Sequence, residues 1–166
     1  RGTWRLDGGG ALANQGVHLV DFLQWVMGDP VTVYAETATR THQIETEDLG
    51  LVILSFPDGA KGTIMATTTY PRPSPVPGWS AAFHGSTGGV LLDDALAGQA
   101  RWMLSEEALR QMAELPNPPG SVIEDMVGIL RAGNKPFIDG KEGRRSVRLL
   151  EAVYRSARTG QRVAFP

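Results

Sequence analysis

The sequence predicts an α+β fold in which an antiparallel sheet of about six strands is packed with amphipathic helices. Two observations carry this. After a first helical segment, six strand-like runs follow one another with only turns and loops between them. Short connections make antiparallel pairs, whereas parallel strands need crossovers of about a dozen residues or more. The helical patterns also sit at the two ends of the chain instead of alternating with the strands, which separates α+β from α/β order.

The elements read in order. Gly10 to Met27 is expected to form a helix, entered from a glycine run and stopped by "GDP" at Gly28–Pro30, because glycine suits the position past a helix end and proline forbids continuation. "VTVYAETATRT" (Val31–Thr41) alternates and is β-branched, so it reads as a strand. "EDLGLVILSF" and "KGTIMATTTY" are joined by "PDGA" and read as a hairpin. "YPRPSPVPG" (Tyr70–Gly78) reads as an extended, mobile loop, since each proline removes a backbone donor. "WSAAFHG", "GGVLLDD" and "QARWML" are three further short strands. "SEEALRQM" begins a helical turn capped by Ser105. "SVIEDMVGILRAG" and "KEGRRSVRLLEAVYRSARTG" are amphipathic helices, the second with Val147, Leu150, Val153 and Tyr154 on one face and Gly160 at its end. Its arginines read as a solvated face.

With 166 residues the chain is expected to form a single domain over residues 1–166. A net charge of −2 and a pI near 5.9 give no reason to invoke nucleic acid or an anionic membrane. There is no cysteine, hence no disulfide, thiolate nucleophile or Cys-ligated zinc. No run reaches the roughly 20 apolar residues of a membrane span, and "RGTWRLDGG" has no signal-peptide core. A cytoplasmic location is the expectation. A start without Met, with a tryptophan almost at once, is expected of a chain whose upstream part has been removed.

The stretch "LDGGGALANQGVHLVDFLQWVMGDP" (Leu6–Pro30) poses the functional question. Gly8, Gly10 and Ala13 satisfy the spacing of a dinucleotide-binding fingerprint, and Glu36 could meet a ribose. That fold needs a parallel βαβ unit, however, and "TWRL" is too short and polar for a buried parallel strand. At 100° per residue, Asn14, His18, Asp21 and Trp25 share one arc of roughly 60°. Gly16, Leu19, Leu23, Val26 and Met27 lie opposite. Two readings stay open: satisfied structural groups, or a small-ligand site that combines apolar walls with convergent polar groups. On the second, His18 takes a proton from a hydroxyl, Asp21 orients the ring, and Asn14 donates to and accepts from a hydroxyl but cannot act as a base. The set suits proton abstraction from an alcohol that loses its hydride elsewhere. One His and one Asp are too few to imply a metal. Thr67 to Tyr70 end a strand beside the proline-rich loop, and those nearest the loop could line a cleft. Arg72 and Trp79 flank it, and Trp79 either stacks on a sugar or pins the loop to the core.

"GGGALANQGVHLVDFLQWVMGDP" resembles the motif that opens the C-terminal domain of the Gfo/Idh/MocA family of oxidoreductases, which includes glucose–fructose oxidoreductase and inositol dehydrogenase. "IETEDLGLVILSFPDGAKGTIMATTTYP" is similar to that family's central hairpin, and "DGKEGRRSVRLLEAVYRSARTGQRV" to its closing helix. The resemblance covers nearly the whole chain. It implies an open, mainly antiparallel sheet with helices packed on one face and the other face used for oligomerisation, as a homodimer or homotetramer. It implies a parent with its own N-terminal Rossmann domain binding NAD or NADP, acting on a sugar, inositol or related polyol, so that the isolated chain is inactive. It maps the catalytic histidine onto His18. The acid four residues earlier in the inositol dehydrogenase pattern falls on Asn14, which departs from it. An acid at 14 is expected to be tolerated better than alanine, because it still accepts a hydrogen bond. The site expected is therefore His18 and Asn14, with Asp21, Thr69, Tyr70, Arg72 and Trp79 toward the substrate, no metal, and no cofactor-binding residue in this chain. The alternatives are a non-catalytic sugar-binding or oligomerisation domain of the same fold, and a dinucleotide-binding domain in its own right.

Overall fold

The computed structural model describes residues 2–70, 78–93, 100–114, 121–136 and 138–166. In chain order the elements are α1 (Trp4–Asp7), a π-helical segment (Leu12–Gly16), α2 (Val17–Met27), β1 (Thr32–Ala38), β2 (Leu49–Ser55), β3 (Lys61–Thr67), β4 (Ser80–Gly85), β5 (Gly88–Asp93), β6 (Ala100–Met103), α3 (Glu106–Ala113), α4 (Val122–Ala132), α5 (Gly140–Thr159) and β7 (Val163–Ala164). They form two compact units, Arg1–Tyr70 with Ile138–Pro166, and Pro71–Phe137. Every strand pair is antiparallel, in the order β3-β2-β1-β7 in the first unit and β4-β5-β6 in the second. The α+β class follows the sequence. The strands divide into two sheets, and the division falls at the proline-alternating stretch, whose residues cannot supply a continuous ladder of donors. No helix among the described residues is long and apolar enough to cross a membrane.

In the first unit, alternation sorts the side chains. Val33, Ala35, Val52, Leu54, Ile64 and Ala66 point to one face and are buried against Ala11, Leu12, Val20, Leu149, Leu150, Ala152 and Val153. The register puts Val33 opposite Leu54 and Val52 opposite Ile64. Leu51, Ile53 and Met65 point to the other face and stay about half exposed. The "PDGA" turn closes as expected: the Phe56 N–H donates to the Ala60 carbonyl at 3.0 Å, and Asp58 accepts from the Ala60 N–H at 3.0 Å. Beyond the two-residue β7, the Ser156 hydroxyl takes over the free edge of β1, accepting from the Ala35 N–H at 3.0 Å while donating to the Gln161 carbonyl at 2.6 Å.

Several expectations are corrected in detail. α1, capped by Thr3 and ended by Gly8 in the left-handed region (φ 70), was hidden by its four-residue length. β1 stops at Ala38 because the next N–H groups, of Arg40, Thr41 and His42, turn onto the Asp48 carboxylate at 2.8, 2.8 and 2.9 Å. On α5, Val147 is exposed, and the buried stripe runs through Ser146, Leu149, Leu150, Ala152, Val153 and Ser156. On α2, Val26 is exposed and Gln24 is buried. The expected loop at Tyr70–Gly78 lies, between its two end residues, outside the described residues. The second unit carries a three-stranded meander, α3 with Ser105 accepting from the Ala108 N–H at 3.2 Å, and α4 capped by Ser121.

Candidate functional site

The glycine run is where the fold and the site meet. The Glu47 side chain, 4% exposed, points into the turn that precedes the π-helical segment. Its Oε2 accepts from the Gly10 N–H at 3.0 Å and its Oε1 from the Leu12 N–H at 2.9 Å, while its carbonyl accepts from the Ala11 N–H at 2.9 Å. Three successive amides at a helix start are thus held by one residue of the chain itself. These are the groups a phosphate would use in a dinucleotide fold. A Cβ on Gly10 would overlap the Glu47 carbonyl, and one on Gly9 would overlap the Tyr154 hydroxyl. The glycines serve close approach of the protein's own groups, and the turn does not fit a pyrophosphate.

Tyr154, reaching from α5, donates its hydroxyl to Glu47 Oε1 at 2.9 Å and meets the edge of Trp4 with ring centroids 5.2 Å apart. Burial and the neighbouring Glu47 carboxylate push its pKa well above the usual phenol value, so it remains a donor. The carboxylate therefore has both oxygens filled, as a buried anion requires.

Asn14 sits in the π-helical segment. Its Nδ2 donates to the Gly9 carbonyl at 2.8 Å and to the Gly10 carbonyl at 3.1 Å. The two acceptors fix the amide orientation, because only nitrogen can face two carbonyls. What remains for a ligand is Oδ1, a pure acceptor, and no group among the described residues bonds to it. His18, at the start of α2, is exposed, and its ring has no hydrogen-bond partner among the described residues. Asp21 does not orient it: its Oδ1 accepts from the Ser146 hydroxyl at 2.6 Å, which ties α2 to α5. Trp25 is 68% exposed and lies against Phe22 at 6.0 Å between centroids. The π turn adds a residue to the turn relative to an α-helix, a feature frequent at functional sites. It breaks the uniform 100° spacing on which the sequence reading rested.

The end of β3 belongs to the same unit. Gly16 packs on Ala66, 3.0 Å from its Cβ to the position a glycine Cβ would take. Thr67 donates its hydroxyl to the Asp48 carbonyl at 2.9 Å, and the Thr68 N–H donates to the same oxygen at 3.0 Å. With the Thr67 proton engaged, the 2.9 Å contact between the Thr67 and Thr69 hydroxyls has Thr69 as donor. Thr69, like Asn14, then has only lone pairs to offer. Tyr70 is 46% exposed. Arg72 lies outside the described residues, and Trp79, half exposed, belongs to the other unit. Glu36 accepts from the Tyr34 hydroxyl at 2.7 Å on the outward side of β1.

Asp48 was not singled out from the sequence, nor were Glu47 and Tyr154. Burial pushes the Asp48 carboxyl up, but the N–H groups of His42, Arg40 and Thr41 together with the His42 ring outweigh it and hold the pKa well below the usual carboxylate range. The signal available was "ED" at the head of an apolar strand, where two adjacent acids cannot both face solvent in an alternating pattern. Among the described residues no group of three His, Cys, Asp or Glu side chains could hold a metal ion.

Comparison with known proteins gives a consistent result. The sequence profile of the "GFO/IDH/MocA C-terminal domain" matches residues 1–91. The chain is 22% identical over 160 residues to a D-apiose dehydrogenase of Rhizobium rhizogenes, covering 89% of this chain and 46% of that protein. Its fold is similar to the WlbA dehydrogenase of Bordetella pertussis, solved with NADH and UDP-GlcNAcA, with TM-score 0.81 and 36% identity over 100% of this chain and 48% of that one. It is also similar to the aldose–aldose oxidoreductase of Caulobacter crescentus, solved with glycerol, with TM-score 0.72 and 25% identity over 97% of this chain and 50% of that one. The chain spans about half the length of the proteins it matches.

Proposed function

The chain belongs to the GFO/IDH/MocA family as a C-terminal domain, and from that premise we propose that it is the substrate-binding and oligomerisation domain of an NAD(P)-dependent oxidoreductase acting on a sugar, inositol or related polyol. The observation that carries the reading is the pairing of two unlike groups around one π turn. His18 has an imidazole with no hydrogen-bond partner among the described residues, and Asn14 has its amide locked so that only an acceptor is presented. Asn14 Oδ1 receives a hydroxyl hydrogen of the substrate, and His18 exchanges the proton of the hydroxyl that becomes a carbonyl. Thr69 and Tyr70 contribute further polar contacts, while Asp21 serves the joint between α2 and α5.

The bound dinucleotide, NAD or NADP, supplies the hydride acceptor or donor. It is held mainly by an N-terminal domain of the parent, because Glu47 already fills the phosphate-like cradle at the glycine turn. The isolated chain is accordingly inactive, and the parent is a cytoplasmic homodimer or homotetramer. The Bordetella neighbour, solved with NADH and UDP-GlcNAcA, supports a sugar substrate, and UDP-GlcNAcA with NAD⁺ as the oxidant is the probe pair.

The test is cofactor titration beside steady-state kinetics in the intact protein. His18→Ala lowers kcat by about 10² to 10⁴, the range for a lost general base, and leaves dinucleotide affinity within about twofold. A His18→Ala protein that turns over normally and loses the dinucleotide would overturn the assignment. Sugar binding without any turnover by the unmodified intact protein would instead favour a binding domain.

A further inference from the structure

We infer that Glu47 and Tyr154 are positioning residues for substrate recognition, acting through the glycine turn on Asn14. The inference rests on the reading of Asn14 as a substrate contact. Glu47 is buried and Tyr154 half-buried, and their side-chain hydrogen bonds bear on the turn that holds Asn14. Glu47 grips the Gly10, Ala11 and Leu12 amides. Tyr154 fixes Glu47 from the opposite side and is itself seated on Gly9, where no Cβ fits.

A peptide unit whose N–H is pinned has its carbonyl direction fixed too, since the unit is planar. The Ala11 N–H is bonded to the Glu47 carbonyl, which orients the Gly10 carbonyl; the Gly10 N–H is bonded to Glu47 Oε2, which orients the Gly9 carbonyl. Those two carbonyls are the acceptors that hold Asn14 Nδ2. Glu47 therefore sets, through two peptide planes, which atom of Asn14 a substrate meets. Asparagine at this position requires two acceptors behind it, and the clamp presents both.

A structural role alone would show as stability, so the readout has to follow Asn14 itself. Amide exchange measured by NMR on the intact protein needs no substrate. Tyr154→Phe and Glu47→Gln are expected to speed exchange of the Asn14 side-chain amide and of the Gly10 and Leu12 N–H groups by about tenfold or more, while His18→Ala leaves them unchanged. Glu47→Gln places an amide NH₂ against a backbone donor and could prevent folding; Tyr154→Phe removes one bond and keeps the ring, so the test stands on it. With the same probe pair, Tyr154→Phe raises the sugar KM about three- to tenfold with kcat within about twofold, and on an Asn14→Ala background it raises KM by less than about twofold. Unchanged exchange at the Asn14 amide, or additive effects in that cycle, overturns the inference. Failure of the His18 reading would show in turnover alone and leave the exchange result to stand.

Discussion

Asn14 has a single kind of atom left to offer a ligand. With Nδ2 on the Gly9 and Gly10 carbonyls at 2.8 and 3.1 Å, the expectation that an acid is the better replacement does not survive. A carboxylate there would face two carbonyl oxygens and would have to turn away from them. Asn14→Asp is therefore expected to lose sugar affinity at least as severely as Asn14→Ala, about tenfold or more in kcat/KM for either, with dinucleotide affinity unchanged. Steady-state kinetics of both variants at neutral pH decide this. Asp48 gives a second prediction at this scale. Its folded pKa lies below its unfolded value near 3.9, so its contribution is present above about pH 4 and is lost as pH falls through the folded value. Asp48→Asn is expected to cost about 1–3 kcal/mol at neutral pH, since an amide nitrogen must then face backbone donors. Denaturant melts should show the gap between the two proteins narrowing as pH drops below about 4.

At the scale of elements, the glycines of the opening turn differ in kind. Gly8 ends α1 with positive φ and open space around its Cα, so Gly8→Ala costs about 1–2 kcal/mol for the left-handed backbone and leaves the site intact. Gly10→Ala would drive a methyl into the Glu47 carbonyl, which its bond to the Ala11 N–H prevents from moving freely. It is expected to destabilise by more than Gly8→Ala and to abolish sugar binding, measured by thermal melts and by titration with the probe sugar. The contrast shows what the sequence made legible. Alternation and the "PDGA" turn gave β2 and β3, and the polar arc of the first helix singled out Asn14 and His18 as candidates. The clamp on the opening turn was not legible, because Glu47 lies 37 and 35 residues from the amides it binds. The same reason hid Tyr154, which by periodicity is one more residue on an apolar face. Long-range polar contacts leave no period in the chain.

For the whole molecule, the outward face of the first sheet sets the expected assembly. Leu51, Ile53 and Met65 are 45%, 47% and 53% exposed, and they are neighbours across β2 and β3. Burying what remains exposed on each would contribute about 1 kcal/mol per residue on each side of a two-fold interface. The chain is expected to sediment as a dimer or larger at tens of micromolar, and Ile53→Lys with Met65→Lys to shift it to monomer without lowering the melting temperature of the unit's core. A monomeric unmodified chain would count against this face as the contact.

The Glu47 knot also imposes an order in time. It joins Gly10, Glu47 and Tyr154, and the tyrosine comes 107 residues after the glutamate. Contacts that far apart form late, after the loop between them has been closed at an entropic cost. During synthesis β1, β2 and β3 emerge long before α5. Until then the buried acid lacks one of its donors, and no Tyr154 ring is seated on the glycine turn. The glycine turn is thus among the last parts of this domain to set, although Gly9 to Asn14 are made well before Tyr154. A nascent or truncated chain without α5 would carry Asn14, His18, Thr69 and Tyr70 and still lack the Tyr154 hydroxyl that completes the clamp behind Asn14.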